Sequence, residues 1–395
     1  MSETQKHTKP NVPNLRFPGF EGEWEKQSLG EVGEPFIGLT YSPSDVVSEG
    51  GVIVFRSSNI QNGEIDYSDI VRVNKKLKES IVTRKDDLVI CARNGSPRLI
   101  GKNALLKESD ANQTFGAFML VYRSPENHFI HQLLSTKRYY SQVSENLGAR
   151  INQITTANIK DFEFFFPKGK DERDKISKFL DFIDQRIAFQ NRVIEDLKKL
   201  KAALCESLYD ESEPNYLIGE IIEQTSTRNR NGESLRVLSV SNQFGFIDQS
   251  EQFEGRTIAS QDTSNYKIVS RDDFVYNPAR INVGSIARLK CLEKGIVSPM
   301  YVCFHCKEGV LPGYLESFFD TDYFFSEMEK RLEGSVRMCL SYEGLCNIPI
   351  AIPDMQEQMS IGLKIQVLKD KIILEEAVCK HMHLQKQYLL YQLFI

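Results

Sequence analysis

Two segments of the chain carry apolar residues with the spacing of a coiled-coil helix. They begin "DKISKFLDFIDQRI" at Asp174 and "MSIGLKIQVLKDKI" at Met359. Apolar residues recur alternately every four and every three positions, which is the spacing of the residues that face a partner helix. The predicted seam positions are Ile176, Leu180, Ile183, Ile187, Ile194, Leu197, Leu204 and Leu208 in the first segment, and Ile361, Ile365, Leu368, Ile372, Cys379, Met382, Leu389 and Leu393 in the second. The pattern predicts two long helices.

The two predicted helices match each other at a constant offset of 185 residues. Ile176 corresponds to Ile361 at this offset, and a polar interruption of the seam at Lys201 corresponds to Lys386. The starts also match, because Pro167 and Pro353 each end a strand-like run just before the helix. Asp354 and Glu357 have capping-box spacing in the second copy, and Asp171 is the predicted N-cap of the first.

The similarity continues upstream of each helix. "SLGE" near Leu29 matches "LIGE" near Ile218, "RKDDLVI" from Arg84 matches "SRDDFVY" from Ser270, and "ENLGARINQI" matches "KRLEGSVRMCL" further on. In both copies short β-rich runs occur together with one helical stretch before the last strand, which predicts α+β domains. The predicted boundaries are a flexible tail at 1–14, a first domain at 15–167, a first long helix at 168–212, a second domain at 213–353 and a second long helix at 354–395.

Connectivity predicts how the helices pair. A first helix of about 39 residues spans roughly 58 Å, so it carries the chain well away from the first domain. A second helix that packs back along it gives an antiparallel coiled coil with an approximate two-fold internal repeat.

Composition adds few constraints. The formal net charge of the 395 residues is −5, so nucleic-acid binding would need local basic patches. The polar start and the lack of a run of about 18 apolar residues predict a cytoplasmic protein without a membrane span. Eight cysteines are scattered along the chain, and "CFHC" from Cys303 fits a strand better than half of a zinc site.

Catalytic signatures are missing from the sequence. We find no phosphate-binding loop, dinucleotide fingerprint, H-E-x-x-H or G-x-S-x-G motif, so no catalytic and no metal-ligating residue is predicted. The acidic pairs Asp86/Asp87 and Asp272/Asp273 precede strands, where carboxylates commonly form turns and caps.

Each repeat contains one basic window, at 88–107 and at 274–292, in which no acidic residue occurs. Arg and Lys side chains bind phosphates, while Asn, Gln and Arg side chains also pair with base edges. The candidate DNA-binding residues in and near these windows are Arg93, Asn94, Arg98, Lys102, Arg150, Asn152, Gln153, Thr155, Arg280, Asn282, Arg288 and Arg337. Judged by residue type alone, ordinary surface loops explain them equally well.

The opening "LRFPGFEGEWEKQSLGEV", the two "RKDDLVI"-like strands, "LGARINQIT" and the "DERDKISKFLDFIDQRI" helix start resemble the specificity subunits of type I restriction-modification systems. The resemblance implies two target recognition domains on an antiparallel spacer, which together bind a bipartite, asymmetric site in double-stranded DNA. It implies no catalysis by this chain. Two modification subunits would methylate adenine with S-adenosylmethionine, and restriction subunits using ATP can join them.

A different class of function also fits the repeat. A coiled-coil scaffold could hold two protein-interaction domains apart without binding nucleic acid. Its interactions would not weaken steeply with salt, whereas phosphate contacts do.

Overall fold

The computed structural model describes residues 11–147, 152–210, 213–242, 245–249, 263–290, 292–334 and 337–395. Two compact units make up the fold. Unit 1 comprises Met1–Gln190 and Val378–Ile395, and unit 2 comprises Asn191–Ala377. Each unit therefore contains one α+β domain together with one half of each long helix.

Unit 1 contains strands β1 to β12 and helices α1 to α4. The strands are β1 Glu25–Ser28, β2 Glu34–Ile37, β3 Val46–Val47, β4 Val52–Phe55, β5 Ile60–Gln61, β6 Glu64–Ile65, β7 Val71–Val73, β8 Leu88–Cys91, β9 Asn103–Leu105, β10 Thr114–Phe115, β11 Met119–Arg123 and β12 Glu163–Phe166. The helices are α1 Leu29–Val32, α2 Asn127–Leu133, α3 Lys137–Asn146 and α4 Thr156–Asp161, and the long helix α5 follows at Lys170–Asp210. The two larger sheets have the strand orders β2-β11-β8-β9 and β10-β4-β7-β3.

Unit 2 repeats this arrangement. Its strands are β13 Tyr216–Leu217, β14 Ile222–Thr225, β15 Val237–Ser241, β16 Gly245–Asp248, β17 Lys267–Ser270, β18 Phe274–Tyr276, β19 Ile286–Arg288, β20 Lys294–Val297, β21 Val302–Cys306 and β22 Pro349–Ile350. Its helices are α6 Ile218–Ile221, α7 Pro312–Phe318, α8 Asp322–Glu329 and α9 Tyr342–Cys346, and the second long helix α10 is Met355–Leu393. The sheet β14-β21-β18-β19 is antiparallel throughout, like β2-β11-β8-β9 in unit 1. The second sheet again contains one parallel pair, β15 with β20, as β4 pairs with β10. The predicted internal repeat and α+β class are confirmed.

The two acidic pairs form the same turn in both units. Asp86 and Asp272 have positive φ angles of 63° and 69°, a region that Asp tolerates better than most residues. The carboxylate of Asp87 accepts a hydrogen bond from the Arg84 N–H at 3.0 Å, and that of Asp273 accepts one from Ser270 at 2.7 Å. The prediction that these carboxylates shape the turn before a strand is therefore confirmed.

The long helices pack antiparallel within each unit. In unit 1 the start of α5, at Ile176 and Leu180, shares a core with the end of α10, at Leu390 and Leu393. In unit 2 Leu208, near the end of α5, packs on the core that contains Ile361 of α10. Every predicted seam residue is buried or half-buried.

Two details of the predicted helices need correction. The Asp354 carboxylate accepts the Glu357 N–H at 2.9 Å and caps α10 as predicted, but α5 begins at Lys170, so Asp171 lies in the first turn and is not the N-cap. The single helical stretch predicted before the last strand of each domain is instead two helices. A threonine caps the second of them in both units, Thr136 for α3 and Thr321 for α8.

The N-terminal segment is attached to unit 1 from residue 11 onward, whereas positions 1–10 of the predicted tail lie outside the described residues. The Asn11 carbonyl accepts the Trp24 N–H at 2.8 Å, and the Leu15 N–H donates to the carbonyl of Gln392 in α10 at 2.9 Å. Arg16 pairs with the buried Glu172 at 2.7 Å. None of the helices in the described part of the chain has the length and apolarity needed to cross a membrane.

Candidate nucleic-acid interface

A cleft of about 1050 Å³ opens on the surface of unit 1. The loops that line it follow β2, β4 and β8 and precede β11. Its lining combines cationic, amide and aromatic side chains, among them Tyr41, Arg56, Ser57, Arg93, Asn94, Phe118 and Asn152. Four of the predicted DNA-binding residues lie in or beside this cleft: Arg93, Asn94, Asn152 and Gln153.

Backbone hydrogen bonds hold the loops of the cleft together. The N–H groups of Ala92 and Arg93 both donate to the Phe118 carbonyl, at 2.9 and 3.0 Å. The Ile154 N–H donates to the Ala92 carbonyl at 2.9 Å, and Arg93 forms an isolated antiparallel bridge with Gln153. The segment around residue 153, which is distant in sequence from β8, is thereby fixed beside the basic window.

Gly38 brings the loop after β2 against the same site. A Cβ atom at this position would lie 2.2 Å from the Gly116 carbonyl oxygen, well inside van der Waals contact. The Leu39 N–H donates to Phe115 at 2.7 Å next to this close approach. Only a residue without a side chain permits this wall of the cleft.

Arg93 and Phe118 form the exposed edge of the cleft. The Arg93 guanidinium lies 4.9 Å from the centre of the Phe118 ring, within the range of a cation–π interaction. Phe118 is 58% exposed. A flat cation over an exposed ring presents both hydrogen-bond donors and an apolar face to a ligand.

The amide side chains beside this edge mainly position the loop. Asn94 donates to the Ser57 hydroxyl at 2.9 Å and accepts the Ser96 N–H at 3.0 Å. Asn152 donates to the Gly95 carbonyl at 3.0 Å. These contacts fix the orientation of the amides, which is what selective hydrogen bonding to a base edge requires.

Arg56 belongs to the cleft, although sequence reasoning missed it. Its terminal nitrogen donates to the Asp69 carboxylate at 2.8 Å, and its Nε atom has no hydrogen-bond partner among the described residues. Arg56 follows a buried strand and lies outside the acid-free window. The only signal available in the sequence was its position directly after the "GVIVF" strand.

The remaining candidates in unit 1 differ in their surroundings. Arg98 is exposed in the short 3₁₀ helix Pro97–Leu99. Lys102 is half-buried near Cys91, where burial raises the pKa of the Cys91 thiol to about 11 and the lysine charge opposes that shift. Thr155 caps α4 by accepting the Asn158 N–H at 3.2 Å. Arg150 lies outside the described residues.

Unit 2 holds an equivalent surface on the same scaffold. The Leu340 N–H donates to the Pro278 carbonyl at 3.0 Å, as Ile154 does to Ala92 in unit 1. Arg280 and Asn282 are exposed at the following turn, and Arg337 is exposed just before Leu340. This supporting hydrogen bond is therefore shared, while the exposed side chains differ between the units.

Arg288 differs from the other candidates. Its side chain is 15% exposed and lies 3.4 Å from the Asp272 carboxylate and 2.9 Å from that of Glu316. The Glu316 contact is close enough for an ion pair, although it is not aligned as a hydrogen bond. The guanidinium holds β19 against α7, so we assign Arg288 a structural role and not a place in the proposed interface.

Comparison with known proteins finds similarity to one family. A family model described as "Type I restriction modification DNA specificity domain" matches residues 21–199. The specificity subunit of the type I restriction enzyme EcoKI of Escherichia coli is 24% identical over 84% of this chain and 79% of its own length. That of StySPI of Salmonella potsdam is 27% identical over 46% of this chain and 41% of its own.

Solved structures agree on the fold. The S subunit of a type I restriction-modification system from M. genitalium superposes with a TM-score of 0.63 at 16% identity, covering 97% of this chain and 99% of that one. A chain from a structure on complex assembly and conformational transition of a type I system has a TM-score of 0.52 at 14% identity, covering 95% and 98%. With its duplicated domains and paired long helices, the chain is similar over most of its length to the specificity subunits of type I restriction-modification systems.

Proposed function

We propose that the chain selects the DNA sequence on which a type I restriction-modification complex acts. Each unit reads one half of a bipartite, asymmetric site. Two modification subunits then methylate adenine there with S-adenosylmethionine, and restriction subunits cleave unmodified DNA with ATP. Both cofactors are held by the partner subunits, and this chain contributes recognition without catalysis in the cytoplasm.

One observation carries this proposal. The carbonyls of Ala92 and Pro278 accept equivalent backbone hydrogen bonds in the two units, yet the residues that follow are Arg93 and Asn94 in one unit and Ala279 and Arg280 in the other. A shared supporting bond with different exposed side chains is what two readers of two different sequences need. A purely structural repeat gives no reason for this divergence.

The exposed side chains fall into two groups by chemistry. Arg93, Asn94 and Asn152 in unit 1, and Arg280 and Asn282 in unit 2, are suited to base edges, because arginine pairs with guanine and asparagine with adenine. Arg98 and Arg337 are suited to phosphates, which position the protein without carrying sequence information. The net charge of −5 indicates that much of the nonspecific phosphate binding comes from the partner subunits.

Exposed apolar residues on the long helices support docking of the modification subunits. In unit 1 Phe189 is 66% and Tyr388 62% exposed, and in unit 2 Leu363 is 64% and Val367 58% exposed. Large apolar side chains presented together on a surface mark interaction sites. Helix residues at these positions leave the recognition loops of each unit free for DNA.

The direct experiment is to co-express the chain with its modification partner and map methylated adenines across a genome. We expect one bipartite motif that is absent from cells containing the modification partner alone. If methylation is independent of this chain, or if the purified complex binds DNA without sequence preference, the proposal fails and the protein scaffold becomes the better account.

A further inference from the structure

The junction between the domain and the long helices in unit 1 has its acidic groups on the long helices. Helix α2 supplies His128 and Gln132, and Gln132 donates to Asp181 at 2.9 Å and to Asp184 at 3.0 Å. His128 lies 3.0 Å from Asp181. Asp184 also pairs with Lys386 of α10 at 2.5 Å. The domain side therefore contributes histidine and amide groups to an acidic surface on α5.

The corresponding junction in unit 2 has the opposite polarity. The acidic groups Glu316 and Asp320 now belong to the domain, and the cations belong to the long helices. The Asp320 carboxylate lies 3.1 Å from Lys201 of α5 and 2.9 Å from Lys369 of α10. Glu316 lies 3.8 Å from Lys369 and 2.9 Å from Lys290.

The reversal occurs at matched positions of the repeat. At the offset of 185 residues, His131 corresponds to Glu316, Ser135 to Asp320 and Asp184 to Lys369, while Lys386 corresponds to Lys201 and keeps its charge. The helices thus change from Asp184 to Lys369, and the domain changes from the uncharged Ser135 and His131 to the acidic Asp320 and Glu316. Independent drift of surface charges would not keep each junction complementary.

The charged side chains of the unit 2 junction are partly buried, so their pairing contributes to stability. The side chains of Lys369 and Lys201 are 21% and 24% exposed, and that of Asp320 is 31% exposed. Burial acts to raise the pKa of Asp320, but Lys369 and Lys201 outweigh it and hold that pKa below its usual value. Removing one partner from such a group leaves a partly desolvated charge uncompensated, which is strongly destabilising.

We propose that the two junctions are electrostatically keyed, so that each domain is accepted only by its own seat on the paired helices. Seat 1 is Asp181, Asp184 and Lys386, and seat 2 is Lys201 and Lys369. The second domain on seat 1 would bring Glu316 and Asp320 against two aspartates. The first domain on seat 2 would leave two lysines without acidic partners. If the chain reads DNA as proposed above, keyed seats fix the order of the two half-sites.

A double-mutant cycle in the full chain tests the keying. Lys369→Asp gives seat 2 the charge found at Asp184, and Asp320→Ser gives the domain the residue found at Ser135. Each single change should lower the melting temperature by roughly 5–10 °C. The double variant should recover at least half of the summed loss, because the new aspartate can pair with Lys201 as Asp184 pairs with Lys386.

Additive losses in the double variant would overturn the keying. If Lys369→Asp prevents folding, recovery of folded protein in the double variant supports it, and failure to recover overturns it. Lys364→Asp is the matched control, because this lysine is exposed on the same helix and its change should shift the melting temperature by less than about 2 °C. The cycle measures stability without DNA, so its failure is distinguishable from failure of the proposed DNA recognition.

Discussion

The Arg93 guanidinium lies over the Phe118 ring at 4.9 Å, at the exposed edge of the unit 1 cleft. Arg93→Ala should weaken DNA binding by about 1–3 kcal/mol if the guanidinium makes a paired base contact. The loss should fall on one half of the recognition site. Binding of the assembled complex to sites mutated in either half, followed by fluorescence anisotropy, measures it.

Two variants make this prediction specific. Phe118→Ala should also impair the same half-site, because it removes the surface on which the guanidinium rests. Arg84→Ala removes an exposed arginine of unit 1 outside the cleft and should leave recognition unchanged. Equal effects of Arg84→Ala and Arg93→Ala would indicate a general charge effect and would count against the contact.

Arg280 and Arg288 should behave differently, although both lie in the basic window of unit 2. Arg280→Ala should relax recognition in the other half-site without loss of stability, because Arg280 is exposed. Arg288→Ala should destabilise unit 2 by about 3 kcal/mol, because it removes one of the cations that compensate the largely buried Glu316 carboxylate. Thermal unfolding and half-site binding of both variants separate the two roles, and a stable Arg288→Ala chain with altered specificity would reverse our assignment.

Gly38 provides a steric test of the cleft. Gly38→Ala places a methyl group 2.2 Å from a carbonyl oxygen, so the loop must move and binding at the unit 1 half-site should fall at least tenfold, which is about 1.4 kcal/mol. Gly116→Ala is the matched control, since its nearest neighbour would lie at 3.7 Å. Similar binding by the two variants would show that this wall of the cleft does not contribute to recognition.

Thr155 tests whether a predicted DNA contact acts instead as a helix cap. Thr155→Ala should cost about 1 kcal/mol of stability, and Thr155→Ser should restore most of it because serine can accept the same N–H. Sequence preference should remain that of the native chain in both variants. A change of DNA sequence preference with unchanged stability would indicate that Thr155 contacts DNA.

The two histidines at the unit 1 junction should give stability a dependence on pH. Burial, reinforced by Lys386, lowers the pKa of His131 to about 4 from 6.5. The unfolded chain then binds more protons between these values, so stability is lost as the pH falls through that window. The hydrogen bond to Asp181 raises the pKa of His128 despite burial. His128 therefore adds stability that is complete below the unfolded pKa and is lost as the pH rises through the folded value.

His131→Gln should accordingly flatten the loss of stability between pH 6.5 and 4 that His131 causes. His128→Gln should lower stability by a similar amount throughout this window, because the contribution of His128 is already complete below the unfolded pKa, and its effect should shrink as the pH rises above 6.5. Melting temperatures across this range, or hydrogen exchange of the α2 segment, distinguish the two. If His131→Gln loses as much stability on acidification as the native chain, the histidine is not the responsible group.

The sequence predicts the framework of the fold well and the recognition surface less well. The correspondence of Ile176 and Ile361 in the repeat follows from the spacing of apolar residues, which can be read within each helix alone. The turns at Asp86 and Asp272 follow from local backbone chemistry. Both signals are contained in short stretches of sequence.

The surface depends on contacts between distant segments, which no local pattern contains. Phe118 lies in the β-rich run "FGAFMLVY", and the hydrogen bonds from Ala92 and Arg93 to its carbonyl place it at the edge of a cleft. Arg288 looks like another member of a basic window until Glu316 of helix α7 is placed beside it. The opposite charges of Asp184 and Lys369 acquire meaning only when the domain helices that face them are known.

The most direct test of the account is the methylation motif of the native complex compared with that of complexes carrying Arg93→Ala or Arg280→Ala. We predict one motif with two specified parts, in which Arg93→Ala relaxes one part and Arg280→Ala relaxes only the other. A single continuous motif, or two variants that both alter the same part, would contradict the claim that each unit reads its own half of the site.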